Sequence, residues 1–395
     1  MQEVCSEVPS ILNFVINMSR AFNKEFDVCF ISLNVLKHDA RTLNLARIFA
    51  KNNLSVCIIA LAEENDISAY LKENIRLIPV QIPDYKRAYK RFLEFSKEVK
   101  KYFHSVKSEI YCAEDLYSLY PASKLKRING GKLFYDSREI YSALGPLFNN
   151  PIKQKLISFA EKRLIKYVNE IFCSGELDAE YLQNYFKWKK PIQVIMNLPK
   201  YRDYVSADLF RDIYPISKEQ KIILYQGMLL PGRGILKIIE SLEYMNDFVF
   251  CLLGDGPIKN EIQEFVKSKN LSNRVYLCGT VPYDELHHWT CSADIGVSFI
   301  EPVSFSYELA LPNKIFEYCM AMIPSLSSDL PALKKIFDRF EIGKIIPSDS
   351  NPKAIADAIS VIDKHKEKYK EECKKATSVF HYEAQENMIL KLMKV

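Results

Sequence analysis

The chain has no CxxC pair among its ten cysteines, no apolar run of membrane-spanning length and no basic segment behind its first residues, Met1-Gln2-Glu3-Val4. Each lack removes a class of protein. Cys29, Cys57, Cys112, Cys173, Cys251 and Cys278 lie singly inside apolar, strand-like runs, so they read as small buried hydrophobes in a reducing interior rather than as a disulfide framework or zinc site. Without a spanning segment or a leader, the expectation is a cytosolic protein. A net charge of +5 is too mild to argue for nucleic acid. No short repeat or low-complexity segment interrupts the chain, and no aspartate cluster offers a metal site. No metal and no cofactor is expected.

What is present is alternation. Strand-like runs at Phe26–Leu33, Leu54–Leu61, Ile75–Val80, Glu109–Ala113, Lys132–Asp136, Glu170–Ser174 and Pro191–Ile195 are separated by helix-length stretches such as Asp39–Lys51 and Ile152–Tyr167. The pattern recurs at Lys221–Gly227, Phe248–Gly254, Arg274–Gly279, Ala293–Ile300, Ser325–Ser328 and Gly343–Pro347. Such alternation predicts an α/β chain with two doubly wound parallel sheets, and 395 residues suit two domains. The polar, irregular stretch Asn197–Glu219, with Pro199 and Pro215, predicts the connection. The expected layout is residues 1–200, residues 201–370, and a terminal helix over 371–395 that returns to the first domain.

Ligands of doubly wound sheets bind at the carboxyl ends of the strands, and the informative motifs fall there. Leu311-Pro312-Asn313-Lys314-Ile315-Phe316-Glu317-Tyr318 follows an apolar strand and a loop holding Pro302, Ser304 and Ser306. A proline at a helix start leaves backbone N–H groups free for a phosphate, and Glu317, one turn on, can accept from paired sugar hydroxyls. Tyr225-Gln226-Gly227 ends another strand, and Pro231-Gly232-Arg233-Gly234 leads into its helix, with Arg233 able to fork onto phosphate oxygens. Gly254-Asp255-Gly256-Pro257 closes a third strand without GxGxxG spacing and reads equally as a turn. Gly279-Thr280-Val281-Pro282 closes a fourth, where a nucleobase could lie on Val281 and Pro282.

Taken in order, these motifs resemble the donor domain of family 4 glycosyltransferases. In the first half, Asp39-Ala40-Arg41 and Tyr135-Asp136-Ser137-Arg138-Glu139 extend the resemblance to nearly the whole chain. It implies the GT-B fold, a nucleotide-diphosphate sugar as co-substrate, and transfer with retention. It places Gly227, Gly254, Asp255, Gly256, Asn313 and Glu317 at the donor, and Asp39, Arg41 and Glu139 on the acceptor side; strand-end position adds Val281 and Pro282 to the donor and Glu114 to the acceptor side. Arg233 falls where the family usually has lysine, Met228 where it has arginine, and Arg138 where it has histidine. Of two glutamates separated by seven residues, Glu317 keeps the second, while Leu309 stands at the first beside Glu308. Leu-Pro-Asn-Lys variants often lack that first glutamate.

Arg233, Lys314 and the N–H groups near Asn313 could stabilise the departing diphosphate in place of a metal, with Arg138 as the third candidate catalytic group. The expected activity is metal-independent hexosyl transfer to a glycan or lipid-linked glycan in polysaccharide or glycoconjugate (cell-envelope) synthesis. Two rivals stay open. A sugar-nucleotide epimerase would need acid/base carboxylates or histidines in the cleft, and no convincing set stands out. A non-catalytic partner would explain Met228, Leu309 and Arg138 but not Arg233 with Glu317. Asp39 can face the cleft or cap a helix, and Glu114 with Asp115 can bind an acceptor hydroxyl or cap one. His38 reads as a surface residue, while His287 and His288 are sequence neighbours that cannot share a helix face.

Tyr85–Lys107 is of another kind. Tyr85, Tyr89, Phe92, Val99, Phe103 and Val106 recur at helical spacing among Lys86, Arg87, Lys90, Arg91, Lys97, Lys100, Lys101 and Lys107, with only Glu94 and Glu98 opposed. It reads either as a helix packed on the sheet with a solvated basic face, or as a peripheral contact with anionic lipid on the inner face of the membrane.

Overall fold

The computed structural model describes residues 25–85, 87–141, 150–303 and 305–393. Lys86, Ser304 and the first residues cited above therefore lie outside the described residues.

The first unit comprises β1 (Glu25–Val35), α1 (Ala40–Lys51), β2 (Val56–Leu61), α2 (Ile67–Lys72), β3 (Ile75–Val80), α3 (Ala88–Lys100), β4 (Lys107–Glu114), α4 (Leu116–Asn129), β5 (Lys132–Ser137), α5 (Pro151–Ile165), β6 (Glu170–Cys173), α6 (Glu176–Phe186) and β7 (Gln193–Val194). Its strands form one parallel sheet ordered β3-β2-β1-β4-β5-β6-β7. The central strands are apolar on both faces because helices cover both. Phe95, Val99, Leu119, Leu125, Ile165 and Leu182 place α3, α4, α5 and α6 on one face, while Leu45, Ile48 and Phe49 place α1 on the other.

The second unit comprises α7 (Leu209–Ile213), β8 (Lys221–Gln226), α8 (Ile235–Ser241), β9 (Phe248–Leu253), α9 (Lys259–Ser268), β10 (Val275–Gly279), α10 (Tyr283–Cys291), β11 (Ile295–Ser298), α11 (Phe305–Glu308), α12 (Lys314–Met320), β12 (Ser325–Ser328), α13 (Pro331–Arg339), β13 (Gly343–Ile346), α14 (Pro352–Lys364), α15 (Lys366–Thr377) and α16 (Glu386–Met393). Its parallel sheet runs β10-β9-β8-β11-β12-β13. In each sheet the order reverses beside the first strand, between β1 and β4 and between β8 and β11. Those reversals open the crevices in which such sheets hold ligands.

Three details differ from the sequence reading. The connection is not irregular throughout: α7 buries Phe210 with its ring 5.0 Å from Trp289. The basic helix stops at Lys100, because Phe103 and Val106 turn into the core and Lys107 begins β4. Its core contacts are Phe95 and Val99, whereas Tyr89 is exposed, since Phe92 leans on Tyr117 and Tyr120 of α4. At the chain's end, α15 packs on α12 of the second unit, with Cys373 in its core. By contrast, α16 buries Ile389 against the first unit's core. All nine described cysteines are free thiols.

Candidate active site

In the first unit, the carboxyl ends of β1, β4 and β5 carry a charged cluster. Asp39 is the N-cap of α1, accepting from the Thr42 N–H (3.2 Å) and the hydroxyls of Ser32 (3.0 Å) and Thr42 (2.7 Å). Arg41 forks onto Asp136 at 2.6 and 2.8 Å and donates to the Ile195 carbonyl at 2.6 Å. Arg138 donates to Asp39 and to the Thr42 hydroxyl, both at 2.7 Å, and also pairs with Glu114 and Asp136. Buried carboxylates survive here because each has a guanidinium partner. Burial pushes Glu114 up; it acts the same way on Asp136, but the Arg41 fork and Arg138 together hold that carboxyl down.

This geometry fixes what the sequence left open. Asp39 caps its helix and anchors Arg138 together. Arg41 and Glu114 are buried within the cluster. Arg138, placed among the catalytic candidates, spends its hydrogen bonds inside the first unit and is not brought to Arg233 and Lys314. A longer, permanently charged side chain among three carboxylates turns toward them. Asp115 caps α4, accepting from the Leu116 N–H at 3.1 Å. Glu139 is exposed, and its carboxyl, pushed up by partial desolvation and by Asp178, feels the opposing charge of Arg233 from the second unit.

In the second unit the strand ends converge. Gly227 has φ +123°, and a Cβ there would lie 3.5 Å from Lys314 Nζ. Gly254 is pressed onto the Gly227 backbone, where a Cβ would fall 1.9 Å from its carbonyl oxygen. Two strand-end loops thus touch backbone to backbone, which only glycine permits. A Cβ on Gly256 would meet the Leu229 carbonyl at 2.3 Å. Asp255 is exposed, accepts from the Gly256 N–H at 2.7 Å and pairs with Lys259 at 2.9 Å, so it closes the turn into α9. Val281 is half-buried and Pro282 is the exposed residue preceding α10.

The opening of α12 is tighter than its sequence predicts. Ile315 N–H donates to the Pro312 carbonyl, and Phe316 and Glu317 N–H groups donate to that of Asn313. The N–H groups of Ile315, Phe316 and Glu317 are therefore taken, which leaves those of Asn313 and Lys314 as the first-turn donors and adds the side-chain cations to them. Lys314 Nζ lies 3.7 Å above the centroid of the Tyr225 ring. Arg233 stacks on Tyr307, 4.4 Å from its centroid. Burial first, and then Arg233, push the Lys314 ammonium down to about 7, with Glu317 acting the other way. An ammonium disfavoured by burial and by a neighbouring guanidinium marks a place short of an anion.

Behind them, the Gln226 amide donates to Glu317. The Thr290 hydroxyl donates to Gln226 Oε1 at 2.9 Å and also contacts the Leu286 carbonyl at 2.8 Å. Glu317, Thr290, Tyr283 and Arg202 line one pocket. Sequence reasoning missed the Gln226–Thr290 support, since their partnership spans distant elements. Position 309 contributes nothing comparable: Leu309 is half-buried, Glu308 is exposed on α11, and Met228 is exposed. Among the described residues, no group of three or more His, Cys, Asp or Glu is placed to hold a metal ion.

Residues 206–378 match the family of glycosyl transferases group 1. This glycosyl transferases group 1 region is the second unit with the paired cations, Gln226 and Glu317. An uncharacterized glycosyltransferase of Methanocaldococcus jannaschii is 26% identical over 198 residues, 46% of this chain and 46% of its own. The chain aligns with less than half the length of that curated relative and of others it matches. Among solved structures, sucrose-phosphate synthase from Thermosynechococcus elongatus superposes with a TM-score of 0.76 at 15% identity, covering 93% of this chain and 98% of that one. Anabaena HepE, solved with UDP-glucose, gives 0.72 at 12% identity, covering 93% and 99%. The fold is GT-B: two Rossmann-like parallel-sheet units facing a cleft. Among the described residues no helix is long and apolar enough to cross a membrane.

Proposed function

We propose that this chain is a retaining glycosyltransferase that moves a hexosyl group from a nucleotide-diphosphate sugar to a glycan or lipid-linked glycan. One observation carries the reading. Arg233 and the depressed Lys314 meet beside Gly227, with Glu317 held one turn deeper by Gln226. Paired cations suit a diphosphate, and a fixed carboxylate suits the vicinal hydroxyls of a ribose. The hardest step is loss of the nucleotide diphosphate, when charge collects on its leaving oxygen. Arg233 and Lys314 stabilise that charge from the second unit, so no metal is required. The acceptor oxygen attacks the face the diphosphate leaves, and its proton passes to the departing phosphate.

Glu139, which feels the charge of Arg233, is positioned for an acceptor or sugar hydroxyl. In this reading Arg138, Asp39, Arg41 and Glu114 shape the acceptor wall rather than touch the reacting atoms. The likeness to a structure solved with UDP-glucose supports a nucleotide-sugar donor. Polysaccharide or glycoconjugate assembly, at the cytoplasmic side of a membrane reached through residues 85–107, completes the proposal. The test is a thermal-shift panel of UDP, GDP, dTDP and CDP sugars. A ligand that binds only the folded state raises the melting temperature by mass action. Stabilisation by one nucleotide class, abolished in Lys314→Gln, is expected; no shift with any donor would leave a non-catalytic protein of the same fold.

A further inference from the structure

The long helix α5 presents apolar side chains on both of its faces. Inward, Glu161 and Ile165 are buried, and Glu161 accepts from the Tyr135 hydroxyl at 2.8 Å. Outward, Ile152, Leu156 and Phe159 are 72%, 64% and 66% exposed. Their i, i+4, i+7 spacing sets them on one stripe, and Arg163 continues it by another turn. Single exposed hydrophobes need no explanation, but three large ones in register on one helix do.

The surroundings of the stripe identify what covers it. Lys153, Lys155 and Arg163 on the helix, and Lys166 just beyond it, are all exposed. The one acid of α5, Glu161, is turned inward. On the same side of the sheet, α3 exposes Tyr89 (52%) and Leu93 (58%) beside Arg87 and Lys90. Between the two helices, Tyr120 of α4 touches Phe92, and Lys124 lies over its ring. Helices of a parallel sheet run back from the strands' carboxyl ends, so the first turns of α3 and α5, with Tyr89 and Ile152, lie at the cleft edge. Protein interface cores are poor in lysine. An apolar stripe rimmed by basic residues, with Glu94 and Glu98 of α3 paired to Lys97 and Lys101 and no other exposed acid among the described residues of α3, α4 and α5, instead matches a bilayer, whose acyl region takes the apolar side chains while anionic headgroups take the cations.

We propose that the outer face of α5, flanked by the start of α3, docks this protein on anionic phospholipid bilayers and sets the cleft mouth against the membrane. The proposal deepens the lipid-linked acceptor reading above and moves the principal anchor from α3 to α5.

The experiment is cosedimentation of the full chain with phosphatidylcholine vesicles, with and without phosphatidylglycerol, at low and high salt. Wild type is expected to pellet with the anionic vesicles and to be released by salt. Leu156→Glu with Phe159→Glu should lower partitioning at least about tenfold, and Lys153→Glu with Lys155→Glu by about tenfold with a flatter salt dependence. Both variants should keep the thermal shift with nucleotide sugar, which separates docking from folding. A wild type that stays in the supernatant overturns the proposal, as do variants that pellet like wild type. So would a dimer in light scattering that the Leu156→Glu, Phe159→Glu pair dissolves without any vesicle binding. Vesicle binding with no nucleotide shift would instead sink the donor reading and leave the docking surface standing.

Discussion

If the proposed donor site is right, the half-buried Lys314 makes donor binding sensitive to pH in a way that can be calculated. In the free protein its midpoint lies at about 7, depressed by burial and by Arg233. A bound diphosphate adds negative charge beside the ammonium and lifts that midpoint again. The sign follows: binding requires the protonated lysine, so it is favoured below the free midpoint and lost above it. At about pH 8 roughly one molecule in ten carries the charge in advance, against about nine in ten at about pH 6. If the complex stays protonated across this window, the apparent Kd rises roughly tenfold between those limits, equivalent to about 1.4 kcal/mol. Calorimetry should be run with a nucleotide-diphosphate sugar, whose esterified diphosphate does not titrate there. Repeating it in buffers of different ionisation enthalpy should show uptake of about one proton per ligand at the alkaline end. Lys314→Gln should bind more weakly and with a flat profile. A wild type whose affinity does not change across the window, or which takes up no proton, refutes the coupling between Lys314 and Arg233.

Other outcomes follow from neighbouring contacts. Arg233→Ala should lower turnover roughly 10²–10³-fold in a steady-state transfer assay, the scale for losing one transition-state donor; full retained activity would remove Arg233 from the leaving-group site. Glu317→Gln should weaken a ribonucleotide sugar about tenfold or more while sparing its 2′-deoxy counterpart, and Gln226→Met should reproduce part of that discrimination by freeing the carboxylate. Arg41→Ala leaves Asp136 buried beside a lost fork and should destabilise the fold by about 3–5 kcal/mol in denaturant melts, with a much smaller loss when Asp136 is also changed to Asn.

The two sheets were legible because their strands are continuous apolar runs punctuated by Gly227, Gly254 and Gly279 at the ends. The donor-side motifs fall at those ends for the same reason, so Arg233, Lys314 and Glu317 could be placed together from strand-end position and the family resemblance. Arg138 could not be placed. Its direction depends on three carboxylates from β4, β5 and the start of α1, which no local pattern relates. The Gln226–Glu317 bond was hidden likewise, since it joins residues far apart in sequence. The outer stripe of α5 escaped notice because apolar side chains on both faces erase the one-sided periodicity that marks an amphipathic helix.

The chain crosses between the two units twice, once after β7 and once between α15 and α16. These crossings are stitched together: Met196 exchanges hydrogen bonds with Gln385 at 2.8 and 3.0 Å, and the Tyr382 N–H donates to the Pro199 carbonyl at 2.9 Å. Two strands of backbone fastened side by side act as the pin of a hinge. They permit the halves to swing but resist twist and slide, so opening the cleft far enough to admit a donor should follow a single arc. Contacts such as Tyr181 with Phe305 and Lys335 with Glu176 lie at the swinging edge. On such an arc those contacts would part first.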